Sequence, residues 1–76
     1  MKNYLSKLPE YWCTSNNKKI SCQEKIKILN DNIEELQNLA NDILDEAILM
    51  GVDKSQYLNI MKEIILSTNS SLKSVK

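Results

Sequence analysis

Residues 21–51 read SCQEKIKILNDNIEELQNLANDILDEAILMG, and this stretch decides the fold of the chain. Its apolar residues recur at alternating steps of four and three, the spacing of one side of a helix that packs against another helix. The positions on this seam are Cys22, Ile26, Leu29, Ile33, Leu36, Ala40, Ile43, Ala47 and Met50. The pattern predicts one long amphipathic helix, with Ile33, Leu36 and Ile43 in the hydrophobic core.

Capping residues indicate where this helix begins and ends. Ser21 is a suitable N-cap, because a serine hydroxyl can accept a hydrogen bond from a free amide of the first turn. Gly51 can adopt the left-handed conformation that closes a helix, and Asp53 can cap a second helix. The sequence therefore predicts an all-α fold, an antiparallel helical hairpin with a long helix at about residues 22–50 and a shorter helix at about 54–67.

In the residues before the helical hairpin, apolar side chains do not recur at helical spacing. They include Trp12 and an Asn-Asn pair, and asparagine tolerates the positive φ angles of tight turns. We therefore expect residues 1–20 to form a loop or short hairpin that carries Trp12 and packs on the long helix. Residues 21–68 then form the helical hairpin and residues 69–76 a flexible tail, all within one small domain.

The length of the chain predicts self-association. A domain of 76 residues buries only about 60% of the surface that its unfolded chain exposes, so reinforcement is expected, and oligomerisation can supply it. Several apolar residues lie off the seam, in directions that one short neighbour cannot all cover. These residues are Leu39, Leu44, Ile48 and Leu49. We expect a homodimer that buries them, with docking of a different protein as the alternative.

Charge is distributed unevenly although the formal net charge is zero. Residues 1–27 carry a balance of +4, residues 28–53 carry −7 with no basic residue, and residues 54–76 carry +3. Every basic residue is lysine, so the bidentate contacts that arginine makes with phosphates and base edges are absent. This composition argues against a nucleic-acid partner.

Acidic residues recur along the outward side of the long helix. They are Asp31, Glu34, Glu35, Asp42 and Asp45. An acidic side of an amphipathic helix is ordinarily solvated, and docking of a basic protein is the alternative. The chain has no histidine, and the spacing of the carboxylates matches no calcium-binding loop, so we expect no metal site from them.

The two cysteines, Cys13 and Cys22, leave several interpretations open. We expect Cys22 to be a small buried residue of the seam and Cys13 to be an unpaired thiol. The alternatives are a disulfide between them, a reactive thiol at Cys22, where the helix dipole favours the thiolate, or a metal site shared across a dimer. No cofactor is expected.

Three segments carry a resemblance to a known group of proteins. They are the Leu-Pro-x-x-Trp motif at residues 8–12, SCQEKIKILN at 21–30 and DEAILMG at 45–51. With these segments the chain resembles small uncharacterised proteobacterial proteins over about residues 8–66. The resemblance implies a helical protein of unknown function, and it implies no role for any particular residue.

These observations predict a small non-enzymatic protein-interaction or regulatory module that acts through helix–helix association. The alternatives are a thiol-based redox or metal-linked protein that uses Cys22, and a docking module for a basic partner on the acidic side of the long helix. No apolar run approaches the length of about 18 residues that a membrane span requires, and cysteines are few. We therefore expect a cytoplasmic protein with neither a membrane nor a nucleic acid as partner.

Overall fold

A computed structural model describes residues 8–72. The first seven residues of the predicted N-terminal segment and the last four of the predicted tail lie outside this range. Helix α1 spans Gln23–Leu49, helix α2 spans Lys54–Leu66, and residues 8–72 contain no strand. The prediction of an all-α helical hairpin is therefore confirmed. The chain contains two compact units, which divide between residues 38 and 39.

Within the first unit, residues 12–20 form a short hairpin. Cys13 and Lys19 form an isolated antiparallel bridge, and the Thr14 amide donates a hydrogen bond of 2.8 Å to the Lys18 carbonyl. Asn17 lies in the left-handed region, with a φ of 69°. A left-handed residue at the end of a tight turn is typical of three-residue hairpin loops, and asparagine adopts this conformation more readily than most residues. The predicted short hairpin is present.

Helix α1 begins one residue later than the predicted cap requires. The Ile26 amide donates to the Cys22 carbonyl at 3.0 Å, which places Cys22 at the N-cap position. The prediction that Ser21 caps the helix is therefore wrong. Glu24 lies in the first turn, where a carboxylate interacts favourably with the helix dipole, so this end of α1 is stabilised without a capping hydroxyl.

The end of α1 is a Schellman motif centred on Gly51. Gly51 has a φ of 90°, as predicted for the closing residue of the helix. The Val52 amide donates to the Ala47 carbonyl at 2.9 Å, and the Gly51 amide donates to the Ile48 carbonyl at 3.0 Å. These are the two hydrogen bonds that define the motif, and they satisfy carbonyls that the helix itself leaves free.

Helix α2 follows almost immediately and is capped at both ends. Asp53 is its N-cap, and its carboxylate accepts a hydrogen bond of 2.9 Å from the Gln56 amide. The helix ends at Ser67, whose amide donates to the Glu63 carbonyl at 3.0 Å. Both ends agree with the predicted boundaries to within one residue. The second helix has 13 residues and the first has 27, so α2 is about half as long as α1.

The hydrophobic core within residues 8–72 is very small. Ala47 is the one residue classed as buried, with 2% of its surface exposed. Ile43 is partly buried, but Ile33 and Leu36 are 41% and 44% exposed. Their prediction as core residues is therefore wrong for the single chain. A heptad seam is buried along its whole length only where another helix lies beside it. In the first unit, the described residues before α1 form a turn and not a helix.

Replacing Gly51 by alanine should lower the free energy of unfolding by about 1 kcal/mol, because a residue with a Cβ resists the left-handed conformation. Nothing within 4 Å would contact the added Cβ, so the effect isolates backbone strain. Gly51→Asn is the matched control and should retain more stability, since asparagine tolerates this region. Thermal unfolding measures the difference, and equal melting temperatures for the glycine and alanine proteins would contradict the assigned cap.

Candidate functional site

The predicted interface residues of α1 belong to the second unit and differ in exposure. Leu39 is 57% exposed, Ile48 45% and Leu49 87%, whereas Leu44 is half-buried. Leu44 and Ile48 lie four residues apart and share a side of the helix, while Leu39 and Leu49 point in other directions. The structure therefore does not gather the four residues into one face. It does leave three of them available to a partner.

Helix α2 adds an apolar surface that the sequence prediction missed. Tyr57 and Met61 are half-buried, but Ile60 and Ile64 beside them are 54% and 61% exposed. The four-residue spacing of Ile60 and Ile64 was the available signal, because residues i and i+4 share one side of a helix.

The first unit also leaves apolar side chains of α1 open to solvent. Ile28 is 57% exposed and lines a shallow depression of about 310 Å³ together with Ile20, Lys25 and Leu29. Leu36 lies eight residues further along the helix and is partly exposed as well. The depression is open and its lining is apolar, so Lys25 contributes only the aliphatic part of its side chain.

A hydrogen bond from Trp12 connects the N-terminal hairpin to α1. Its indole Nε1–H donates a hydrogen bond of 2.8 Å to the Asn30 side-chain oxygen, across 18 residues of sequence. The indole is half-buried, so the predicted role of Trp12 in packing on the long helix agrees with its position. Nearby, the Lys19 ammonium lies 5.5 Å from the centre of the Tyr11 ring, within the range of a cation–π interaction.

Both cysteine thiols are free and exposed. The prediction that Cys22 is a buried residue of the seam is therefore wrong, and so is the alternative of a Cys13–Cys22 disulfide. Cys22 is the N-cap of α1, where the chain enters the helix, and no neighbouring helix covers that position within the first unit. Among residues 8–72, no group of three acidic, histidine or cysteine residues is arranged to hold a metal ion.

The predicted acidic residues are surface groups of α1. In the first unit Asp31 and Glu35 are exposed and Glu34 is half-buried. In the second unit Asp42 and Asp45 are exposed. This placement agrees with the solvated interpretation and leaves these carboxylates accessible to a basic partner.

One of these carboxylates forms an ion pair. The Lys27 ammonium donates to the Asp31 carboxylate at 2.7 Å, and this hydrogen bond raises the pKa of Lys27 above its ordinary value of 10.5. A raised pKa in the folded protein means that the pair contributes stability at neutral pH and loses it as pH rises through the pKa of the folded state. Because both side chains are largely exposed, water screens the pair and its contribution is small.

Neither helix in residues 8–72 combines the length and the apolar character needed to cross a membrane. No family model matches the chain, and no similar protein is found among curated proteins or among solved structures. The resemblance to small proteobacterial proteins therefore stays a prediction.

The Trp12–Asn30 hydrogen bond predicts a measurable coupling between the hairpin and α1. Trp12→Phe removes the donor, Asn30→Ala removes the acceptor, and the double-mutant cycle should give a coupling free energy of about 0.5–1.5 kcal/mol. Urea unfolding measures each variant. Tyr11→Phe is the control, because it keeps an aromatic ring in the same hairpin and should show no coupling with Asn30→Ala. Strict additivity of Trp12→Phe and Asn30→Ala would contradict the contact.

Proposed function

We propose that this protein is a small non-enzymatic interaction module that associates through helix–helix packing, with a second copy of the chain as its partner. The observation that carries this proposal is the contrast, within residues 8–72, between one buried residue, Ala47, and the many large apolar side chains that the helices leave exposed. Leu39 on α1 and Ile64 on α2 represent that exposed set in the second unit.

Energetics favour covering this surface. Burying a leucine or isoleucine side chain gains about 1.5–3 kcal/mol, and a few such residues match the whole stability of a small domain. Monomeric proteins rarely expose large continuous apolar areas. The apolar side chains of the second unit lie on both helices, so a partner that contacts the hairpin can cover several of them together.

A second copy is the partner that the sequence itself supplies. A two-fold pairing uses the same surface on both chains, so one set of exposed apolar residues is covered by its equivalent. Two helical hairpins paired in this way form a four-helix arrangement, a common solution for short helical chains. The cytoplasm is the proposed location, where sparse cysteines such as Cys13 and Cys22 remain reduced.

A thiol-based function of Cys22 is the second candidate. The exposure of this thiol at the start of α1 favours it, because a reactive cysteine must be accessible. Titration with a thiol reagent separates the two candidates. A rate for Cys22 well above that of Cys13, which is also exposed, supports the thiol function, whereas equal rates leave helix association as the better account.

Sedimentation equilibrium at tens of micromolar should give the mass of a dimer. Leu39→Lys should shift the protein towards monomer, because it places a charge on a surface that becomes desolvated. Leu72→Lys is the matched control, since Leu72 is 81% exposed and lies beyond α2. Circular dichroism should show unchanged helix content in both variants. A monomeric wild-type protein, or equal behaviour of the two variants, would contradict the proposal.

Self-association also predicts that stability depends on protein concentration. If dimerisation buries the exposed residues, mass action raises the melting temperature as the protein becomes more concentrated. Thermal unfolding at about 2 and about 200 μM should therefore give clearly different midpoints, and Leu39→Lys should remove most of that difference. A midpoint that does not change with concentration would favour a monomer.

A further inference from the structure

We infer that a second copy binds to one particular side of the helical hairpin in the second unit, the side that carries Leu39, Ile43, Ile60 and Ile64. This inference rests on the proposed self-association and adds the surface through which the two copies meet. All four residues lie within residues 39–72, so the inference concerns the second unit alone.

The least exposed residues of this unit show where its two helices meet. Ile43, Leu44 and Ala47 mark the line of contact on α1. Tyr57 and Met61 mark the line of contact on α2. Successive residues of a helix turn by about 100°, so the apolar residues that flank each line point to one side of the hairpin or to the other. The hairpin of the second unit therefore has two apolar sides.

Helical geometry assigns each flanking residue to one of these sides. Because the helices run in opposite directions, turning in the same sense from the line of contact leads to the same side of the hairpin on both. On α1 this places Leu39 and Ile48 on different sides, and on α2 it separates Ile64 from Ile65. The aliphatic side, as we name it, comprises Leu39, Ile43, Ile60 and Ile64, and the lysine side comprises Leu44, Ile48, Leu58 and Ile65 together with Lys54 and Lys62.

The aliphatic side forms one continuous patch across both helices. Leu39 lies 11 residues before residue 50 and Ile64 lies 11 residues after residue 53, so the two positions are level with each other. Ile43 and Ile60 are level in the same way, each seven residues from the same two points. Ile43 is half-buried and the other three are more than half exposed. A partner can therefore cover two adjacent pairs of aliphatic side chains in a single contact.

Charge distinguishes the two sides. On the lysine side, Leu58 has Lys54 four residues before it and Lys62 four residues after it, and residues four apart share a side of a helix. A helix that packed over Leu58 would remove ammonium groups from water, which is unfavourable unless each finds a partner. On the aliphatic side, the residue four before Ile60 is the uncharged Gln56 and the residue four after it is aliphatic. Desolvation therefore favours contact through the aliphatic side.

A second copy of the chain fits this side. The four aliphatic side chains carry no charge for a partner to pair with, so their complement is another aliphatic surface, and each copy presents one. Glu46 follows Ile43 by three residues and is exposed, which leaves its carboxylate at the rim of the patch. Two hairpins that face each other through this side form two layers of two helices and bury the patch of both copies.

Adjacent isoleucines of α2 test the choice of side. Ile64→Lys places a charge within the patch and should raise the dissociation constant of the dimer by about tenfold or more. Ile65→Lys is the matched control, because Ile65 is the next residue, is similarly exposed and lies on the lysine side; it should change the constant by less than about threefold. Sedimentation equilibrium measures both variants, and circular dichroism should show unchanged helix content. Equal weakening by the two variants, or a larger effect of Ile65→Lys, would overturn the assignment.

Thiol protection tests the same surface without adding a charge. In a Cys13→Ser/Cys22→Ser background, Ile60→Cys and Leu58→Cys are made as separate proteins. The alkylation rate of Ile60→Cys should fall several-fold between about 2 and about 200 μM protein as the dimer forms, whereas that of Leu58→Cys should stay constant. This measurement decides if a lysine variant loses helix content. Equal behaviour of the two thiols, or protection of Leu58→Cys alone, would contradict the assigned side.

The two proposals fail in different ways. A wild-type dimer that Ile64→Lys does not weaken, and in which Ile60→Cys stays unprotected, overturns this surface but leaves self-association intact. A wild-type protein that is monomeric at tens of micromolar overturns self-association, and the assigned surface with it.

Discussion

The reversal of the chain after α1 is the constraint on which the second unit depends. Ala47 provides the one buried side chain in residues 8–72, and its carbonyl accepts the hydrogen bond from the Val52 amide that closes the helix. A small side chain allows a neighbouring helix to approach closely, and the left-handed Gly51 turns the chain back at once. Asp53 then caps α2, so only residues 50–53 separate the two helices. The buried residue, the C-terminal cap of α1 and the turn between the helices therefore all lie within the seven residues 47–53.

The short second helix limits how much of α1 the helical hairpin can bury. Because α2 has 13 residues and α1 has 27, α2 can accompany only about half of the longer helix. The short hairpin that precedes α1 contributes Trp12, but it contains no helix that could pack along α1. The apolar residues along the whole of α1 thus provide more contact surface than the rest of residues 8–72 covers. In the proposed dimer, a helix of the second copy covers this surplus without any change of fold.

Local chemistry made much of the fold predictable. Gly51 and Asp53 act through their own backbone and side-chain groups, so their caps follow from residue type alone. The left-handed Asn17 in the hairpin belongs to the same class. Ser21 shows the limit of such reasoning, because a good capping residue next to the true start of a helix gives nearly the same sequence signal.

Burial was predicted less well, because it depends on what covers a residue. The heptad pattern placed Leu36 on the contact side of α1, and its exposure in the single chain shows that the pattern does not say which helix makes the contact. Cys22 was assigned to the core by the same pattern, but it lies at the very start of the helix. The residues of the candidate surface could thus be partly identified from the sequence. That they are exposed to solvent in the single chain could be found only from the structure.

Charge balance removes one obstacle to the proposed self-association. A formal net charge of zero means that two copies do not repel each other as whole molecules, and proteins near neutrality associate more readily. The apolar side chains supply a driving force without orientation, since the hydrophobic effect is not directional.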